Sequence, residues 1–391
     1  MRDGYERLLS GLTLSGALAE GWRGAFARAP RPEFVPEAVW APDDGSPTGH
    51  RRVTRAVEPD AWWALVDADD VVVTQLDDGA HDGPGVPTSS ASKPSLVASM
   101  LRHLDVTDGA RVLDVGTGTG WTSALLAARL GREAVTTVEV DAGVAAQAAE
   151  RLKAAGLVPA RTAVGDGLAG WPANAPYDHI HSTAAVRHVP HAWIAQTRPG
   201  GTIVTPWGTP YANAGLLRLV SGEPGGPSYG RFVDSVSFMW MRAQRPHTVT
   251  LPRTDPDRLG PSAIAPDLAL SNGGVAFTIG LRVQEARYVH TWENANPVAT
   301  YRIVLSDGNG SWASVRYEEW DAPDAVRQWG TRRLWDEITA ARVWWEDAGR
   351  PELTRFGLTV TARGGQELWL DRPGHPVTPM RAAGITGEPW M

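Results

Sequence analysis

The chain has 391 residues, of which 42% are hydrophobic, so it is long enough for two or more globular domains. A net charge of −7 without a basic run argues against nucleic-acid binding, and the lack of cysteine excludes disulfides, thiolate metal sites and a cysteine nucleophile. No apolar run reaches the roughly 18–20 residues of a membrane span and the N-terminus lacks a signal-peptide core, so we expect a cytoplasmic protein without membrane contact.

The first part of the chain is predicted to be helical and loop-rich. Apolar residues recur at helical spacing through residues 5–27, and the prolines that follow end this segment. A short strand is predicted at residues 71–75. Residues 77–94 are rich in Gly, Asp, Pro and Ser, which indicates a functional loop or disorder. An apolar helix is predicted at residues 95–104.

Strands and helices alternate in the central part of the chain. The predicted strands are at 111–115, 134–139, 161–164, 177–182 and 201–206, and the predicted helices are at 121–130, 141–156 and 190–197. This alternation is typical of an open α/β sheet, which binds ligands beyond the carboxyl ends of its strands. We therefore predict that the functional site lies at that edge.

A glycine-rich turn follows the first of these strands. Gly116, Gly118 and Gly120 separate the apolar strand from the helix that begins at Trp121. Glycines permit a sharp turn and a close approach of the backbone to a ligand, and the N–H groups at a helix N-terminus suit a nucleotide-like cofactor. The alternatives are an ordinary tight turn and a dinucleotide-binding loop.

Acidic residues follow three successive predicted strands, and their positions favour one of these alternatives. Asp114 precedes the glycines, where it would repel a pyrophosphate but suits the ammonium group of S-adenosylmethionine (SAM). Glu139 ends the next strand, where a carboxylate can accept hydrogen bonds from ribose hydroxyls. Asp166 follows a third strand. Together they predict a SAM site.

The pattern changes after residue 210, and the loop at residues 246–260 is the best candidate for a linker. Further strands are predicted at 216–220, 235–241, 276–281, 299–305 and 312–315, a helix at 331–348, and a closing hairpin formed by 356–361 and 367–370. We thus expect a first domain over 1–245, comprising a helical and loop-rich part, 1–94, and an α/β core, 95–245. A smaller α+β domain is expected over 261–391.

Two residue types in the chain invite functional hypotheses. Nine of the eighteen tryptophans follow residue 245, where they could form a peptide-binding face or fill the core of a small domain. His179, His181, His188 and His191 lie close together in sequence, but no carboxylate accompanies them at ligand spacing, so we predict no metal site.

Several separated motifs, in order, resemble those of the protein-L-isoaspartate O-methyltransferase family. The resemblance extends from about residue 20 to residue 240, a little over half of the chain. The matching segments are 29–36, 90–94, 112–120, 164–167, 175–181 and 198–201. The resemblance implies a Rossmann-like class I SAM-dependent methyltransferase, with S-adenosylhomocysteine (SAH) as product.

The resemblance also implies roles for individual residues. The implied cofactor-binding residues are Asp114, Gly116, Thr117, Gly118 and Gly120 around the methionine part, Glu139 on the ribose, and Asp166 with Gly167 on the adenine edge.

Ser92 matches the family's serine that faces the substrate carboxylate, and it is the candidate catalytic residue. Ser90 and Lys93, candidate substrate-binding residues, depart from the family's threonine and small residue. Those departures put strict isoaspartyl selectivity in doubt. From sequence alone, Ser92 could equally be the N-cap of the following helix.

The length of the chain and the sequence of its C-terminal part resemble actinobacterial homologues that modify ribosomally made peptides such as lanthipeptides, graspetides and lasso peptides. The resemblance implies a cyclised precursor peptide as partner, with the C-terminal domain recognising it. A normal aspartate would be methylated, and the next backbone nitrogen would displace the ester to give an aspartimide or isoaspartate. The alternatives are a repair enzyme for isoaspartyl residues in damaged proteins and a non-catalytic peptide-binding protein on a SAM fold.

Overall fold

The computed structural model of the protein describes residues 3–270, 273–293 and 300–380. The chain divides into two compact units. Unit 1 comprises residues 1–184, 190–205 and 218–224, and unit 2 comprises 185–189, 206–217 and 225–391. The predicted domain boundary at residues 246–260 stays a prediction. No helix among the described residues is long and apolar enough to cross a membrane.

Unit 1 begins with two helices, α1 (Asp3–Leu14) and α2 (Glu20–Arg28). The prediction of one helical segment over residues 5–27 is therefore wrong in the middle. Gly16 adopts a φ of 72°, which lies outside the right-handed helical region. The apolar face continues across this break, since Leu12, Leu18 and Trp22 are all buried.

A small antiparallel sheet follows, in the order β2-β1-β3-β4. Its elements are β1 (Ala38–Pro42), β2 (His50–Thr54), helix α3 (Pro59–Val66), β3 (Val72–Leu76) and β4 (Pro87–Ala91). Strand β3 confirms the prediction at residues 71–75. Strand β4 corrects the prediction of a loop or disorder over 77–94. Only Ala91 of β4 is buried, so its sequence carries no alternation of apolar and polar residues.

The α/β core of unit 1 confirms the predicted alternation. Its elements are α4 (Pro94–Leu104), β5 (Val112–Val115), α5 (Trp121–Leu130), β6 (Val135–Glu139), α6 (Ala142–Ala154), β7 (Arg161–Val164), β8 (Tyr177–Ser182), α7 (His191–Gln196) and β9 (Thr197–Gly208). The strands are parallel where they pair and lie in the order β9-β8-β5-β6-β7.

The strand order determines where a ligand can bind. From β5 the chain runs outward through β6 to β7, and then returns to the other side of β5 to form β8 and β9. The reversal creates a crevice at the carboxyl end of β5, where open α/β sheets bind ligands. Every residue of β5 and β8 is buried. The centre of the sheet is therefore rigid, and the residues that follow these strands can be held in fixed positions.

Strand β9 and strand β10 (Asn213–Val220) each contribute residues to both units, and β11 (Ser228–Ser235) lies in unit 2. The strand predicted at 216–220 is confirmed, whereas the one at 235–241 is wrong, because the strand precedes those residues.

Unit 2 continues with β12 (Arg258–Gly260), α8 (Asp267–Leu270), α9 (Gly274–Arg282), β13 (Arg287–Glu293), β14 (Thr300–Ser306), β15 (Trp312–Arg316) and β16 (Val326–Trp329).

Helix α9 overturns the strand predicted at residues 276–281. Seven of its nine residues are buried, from Val275 to Leu281. A short segment that is apolar on every side shows no helical period, so its sequence cannot distinguish a buried helix from a buried strand. Strands β14 and β15 confirm their predictions, in a sheet with the order β12-β16-β15-β14-β13.

The end of unit 2 confirms the predicted helix and hairpin. Helix α10 (Leu334–Asp347) buries Leu334, Ile338 and Ala341 in the same core as α9. Strands β17 (Phe356–Val360) and β18 (Gln366–Leu370) pair with each other, and β17 also pairs with β11.

The tryptophans of unit 2 divide between core and surface. Trp329, Trp335 and Trp369 are buried, which supports the core-filling alternative, while Trp292 is 63% exposed. Trp390 lies outside the described residues.

Candidate functional site

The glycine turn adopts the conformations that its sequence predicts. Gly116, Gly118 and Gly120 have φ values of 85°, 54° and 91°, in the left-handed region that favours glycine. The turn is held against β6, because the Gly116 N–H donates to the Val138 carbonyl at 2.9 Å. A Cβ atom on Gly120 would lie 3.3 Å from the Leu152 side chain on α6, so a larger residue there would push the turn out of position.

Glu139 lies at the end of β6 and contacts the turn directly. Its Oε2 accepts a hydrogen bond from the Gly118 N–H at 2.9 Å, and its Oε1 accepts one from the Asp141 N–H at 3.1 Å. The side chain is half-buried, so a carboxylate with spare acceptor capacity is held at the strand end beside the turn. The ribose contact of Glu139 stays a prediction.

Asp114 lies in β5, shortly before the glycine turn. Its side chain has no exposed surface. One carboxylate oxygen accepts from the Ser123 hydroxyl at 2.6 Å, and the other accepts from His181 Nδ1 at 2.9 Å. The contact of Asp114 with a cofactor ammonium group stays a prediction. Asp114 ties the strand before the turn to helix α5 and strand β8.

Ser123 and His181 are functional candidates that sequence reasoning missed. His181 lies directly opposite Asp114 in the parallel register of β5 and β8. Nothing local in the sequence specifies this pairing, because the two residues are 67 positions apart. Ser123 is a polar residue on an otherwise apolar face at the start of α5. Its position is the only signal in the sequence that could have suggested the contact with Asp114.

Asp166 lies at the end of β7, next to the strand that carries Glu139. Its Oδ1 accepts from the Leu168 N–H at 2.9 Å and so fixes the turn that begins at Gly167. The Gly167 carbonyl accepts from the Trp193 indole at 2.8 Å. Because β5, β6 and β7 are parallel neighbours, the structure brings the three predicted acidic positions to one edge of the sheet.

The segment from Ser90 to Lys93 lies beside this edge. A Cβ atom at Gly118 would be 3.9 Å from the Ser90 carbonyl oxygen, so the end of β4 passes close to the glycine turn. The Lys93 ammonium lies 3.9 Å from Asp69 Oδ2, which makes it a partner of that carboxylate. Ser92 is half-buried, and its hydroxyl has no hydrogen-bond partner among the described residues.

The alternative role of Ser92 as a helix N-cap is wrong. Lys93 occupies the N-cap position of α4 and makes no side-chain capping bond. The cap is supplied from elsewhere, since Asp69 Oδ1 accepts from the Ser95 N–H at 2.8 Å. The Ser92 hydroxyl is therefore left for another purpose.

Arg31 holds this segment in place and was not identified from the sequence. Its side chain is fully buried, and its guanidinium donates to five backbone carbonyls, those of Val66, Ala68, Asp70, Ala91 and Ser92, at 2.6–3.2 Å. Burial lowers the pKa of Arg31 to about 10, which leaves it charged at neutral pH. Charge-assisted bonds of this kind are the strong ones. Arg31 thus fixes the backbone on both sides of Ser92's peptide unit.

The histidines serve as packed hydrogen-bonding residues. His179 Nδ1 lies 2.7 Å from the Thr202 hydroxyl, and burial lowers its pKa. In the part of the chain that the structure describes, no group of three or more His, Cys, Asp or Glu side chains could hold a metal ion.

Comparison with known proteins agrees with this arrangement. Residues 83–238 match the family model described as protein-L-isoaspartate(D-aspartate) O-methyltransferase. A protein-L-isoaspartate O-methyltransferase of Anaeromyxobacter dehalogenans is 46% identical over 149 residues, which is 38% of this chain and 70% of that protein. Protein-L-isoaspartate O-methyltransferase 1 of Nitrosospira multiformis is 37% identical over 151 residues, 39% of this chain, and the alignment spans only 63% of that relative's length.

A solved structure of a protein-L-isoaspartate O-methyltransferase has a TM-score of 0.53 and 19% identity, covering 94% of this chain and 100% of that one, which is a likeness of fold. The identity to the Anaeromyxobacter protein, over more than two thirds of its length, is the stronger finding. With the family model matching the residues of the site, it establishes that the chain belongs to the protein-L-isoaspartate O-methyltransferase family.

Proposed function

We propose that this chain is a SAM-dependent O-methyltransferase that esterifies the free α-carboxylate of an isoaspartyl residue in a peptide or protein. The observation that carries the proposal is the meeting of two segments. The glycine turn with its neighbouring carboxylates lies against the end of β4, which leads directly to the unpartnered Ser92 hydroxyl. Family membership and the names of the curated relatives favour the isoaspartyl substrate.

The residues of the sheet edge fit the cofactor. Glu139 would hold the ribose hydroxyls, and Asp166 with Gly167 would bind the adenine edge. The backbone of Gly116, Thr117, Gly118 and Gly120 would hold the methionine part. The hydroxyl of Thr117 is 2.7 Å from that of Thr137, so only its backbone is left for the cofactor. Asp114 acts as a positioning residue for the turn, through Ser123 and His181.

The chemistry requires placement more than acid or base catalysis. When bound, SAM supplies an electrophilic methyl group on a positively charged sulfur. A carboxylate is already ionised near pH 7, so its oxygen needs no proton removed before it forms the new O–CH₃ bond. The Ser92 hydroxyl donates a hydrogen bond to one carboxylate oxygen and directs the other towards the methyl group. Such fixed proximity lowers a barrier by several kcal/mol.

The experiment that tests this function compares two synthetic peptides. The protein is incubated with SAM and a linear peptide containing L-isoaspartate, and the product is analysed by mass spectrometry for the added mass of one methyl ester. The same peptide with normal aspartate is the matched control. Transfer to the isoaspartyl peptide alone supports the proposal, and SAM turnover on neither peptide contradicts it.

A second candidate substrate is a normal aspartate in a ring-constrained ribosomal peptide. The family model ends at residue 238, so most of unit 2 lies beyond it and is available to recognise a larger, cyclised peptide. In this version the following backbone nitrogen attacks the carbonyl carbon of the methyl ester, the methoxide leaves with the N–H proton as methanol, and an aspartimide forms. Methyl transfer to an aspartate in a side-chain-cyclised peptide, followed by loss of methanol, would favour it over the repair reaction. SAM binding without transfer to any peptide would favour a non-catalytic peptide-binding protein.

A further inference from the structure

A polar cavity lies beside the glycine turn, and apart from Gly118 its lining residues have no role in the site described above. It has a volume of about 60 Å³, enough for a group of a few heavy atoms, since one water occupies roughly 30 Å³ in the liquid. Besides the backbone of Gly118 it is lined by one charged and several neutral polar side chains. These are Thr74, Gln75, Ser89, Thr119, Gln147 and Arg151.

The only charged residue in this lining is Arg151, near the end of α6. Among the described residues its guanidinium has one hydrogen-bond partner, Gln147 Oε1 at 3.1 Å, and no carboxylate. Burial lowers its pKa. An arginine nonetheless stays protonated at neutral pH. The cavity therefore contains a partly desolvated cation without an anionic partner.

Three side-chain acceptors around the cavity already receive a hydrogen bond, and some donors beside them are left over. The Gln147 carbonyl oxygen accepts from Arg151, and the Gln75 carbonyl oxygen accepts from the Thr88 hydroxyl at 3.0 Å. The Ser89 oxygen accepts from the Thr74 hydroxyl at 3.2 Å, which leaves the Ser89 proton to donate. Free hydrogen-bond donors beside a cation favour a ligand that only accepts hydrogen bonds.

Two neighbouring carboxylates do not neutralise Arg151, because each has its own donors. Asp141 accepts from Gln75 Nε2 at 3.2 Å and caps α6 through Gly143 and Val144. Glu139 accepts from the Gly118 and Asp141 N–H groups.

We infer that this cavity is a carboxylate subsite, in which Arg151, Gln147 and Ser89 bind an acidic side chain of the peptide substrate near the residue that is methylated. The inference rests on the proposed function. The peptide source is favoured because Ser89 immediately precedes the Ser90–Lys93 segment, so the subsite is continuous with the place assigned to the substrate. The other source of the same chemistry is the amino-acid carboxylate of the cofactor.

The test uses the full chain with Arg151→Gln, the conservative Arg151→Lys, and Arg129→Gln as matched control. Arg129 lies on α5 and pairs with Asp108 at the surface. In the first arm, fluorescence polarisation in the presence of SAH measures the binding of labelled isoaspartyl peptides. Each labelled peptide carries one glutamate, at a different position next to the isoaspartate in each peptide. A peptide with glutamine at all of these positions is the reference. In the second arm, calorimetry measures the Kd of SAH alone.

For one glutamate position, we expect Arg151→Gln to raise the peptide Kd about tenfold, equivalent to about 1.4 kcal/mol. Arg151→Lys should restore most of the affinity, and neither Arg129→Gln nor the all-glutamine peptide should show the effect. If Arg151→Gln instead raises the Kd of SAH tenfold, the cavity binds a carboxylate, but that carboxylate belongs to the cofactor and not to the peptide.

Unchanged affinities in both arms would overturn the subsite. Both arms measure binding rather than turnover. A wild-type protein that binds these ligands but transfers no methyl group would therefore contradict the proposed function. The binding results would still show whether the subsite exists.

Discussion

Replacing Arg31 by methionine tests whether a single buried cation holds the segment that carries Ser92. Methionine fills a similar volume but donates no hydrogen bond, so the five carbonyls that Arg31 serves lose their donor. The bonds to Val66 and Ala91 are fully buried, whereas the carbonyls of Ala68, Asp70 and Ser92 are only partly buried and can turn towards water.

The magnitude follows from the two buried carbonyls. An unsatisfied buried acceptor costs about 1–3 kcal/mol, so two cost about 2–6 kcal/mol, a large part of the stability of an ordinary domain. Arg31→Lys keeps the charge, but its three N–H donors reach fewer carbonyls, so an intermediate loss is expected. Arg28→Met is the matched control, because Arg28 donates to a single carbonyl, that of Ala128 at 2.8 Å. It should cost no more than about 1 kcal/mol.

Urea unfolding followed by tryptophan fluorescence measures these differences, with Trp121, whose indole donates to the Ala29 carbonyl, as a reporter within unit 1. Because the chain has two units, the transition of unit 1 is analysed separately. An Arg31→Met protein within about 1 kcal/mol of the wild type, no worse than Arg28→Met, would refute the reasoning.

Three further predictions concern the site and its stability. Ser92→Ala should lower kcat about tenfold while the SAH affinity stays near normal; loss of SAH binding would show that Ser92 serves the cofactor instead. Glu139→Gln should raise the Kd of SAH, measured by calorimetry, about tenfold. An unchanged Kd would show that Glu139 does not bind the ribose. Burial lowers the pKa of His179 below its ordinary 6.5. The imidazole is therefore protonated at a higher pH in the unfolded chain than in the folded one, so the free energy of unfolding should fall as pH drops below 6.5. This fall should be less steep in His179→Asn, and an equal dependence on pH in both proteins would contradict the assignment.

The core of unit 1 could be predicted because its elements are short, apolar and clearly separated. Strands β5 to β8 are bounded by Gly, Pro and Asp residues, and each is followed by the expected turn or helix. Helix α9 could not be predicted, since burial on all sides removes the helical period. Strand β4 could not be predicted either, because its pairing with β3 includes register shifts and its residues are mostly polar.

The site shows the same division between local and long-range information. The glycine turn and the acidic strand ends are local patterns, and the structure places them together at one edge of the sheet. The orientation of Asp114 depends on which residue of β8 lies opposite β5, and a sequence does not state that register. The role of Arg31 depends on carbonyls up to 61 positions away, so no motif around it could reveal them.

The most direct test of the account is a methyl-transfer assay with the purified full chain, SAM and a linear L-isoaspartyl peptide, with the product identified by mass spectrometry. The account predicts one methyl ester on the free α-carboxylate of the isoaspartyl residue and a stoichiometric amount of SAH, with both greatly reduced in Ser92→Ala. Tight SAH binding without any ester on isoaspartyl, aspartyl or cyclised peptides would contradict the claim that this edge of the sheet is a carboxyl methylation site.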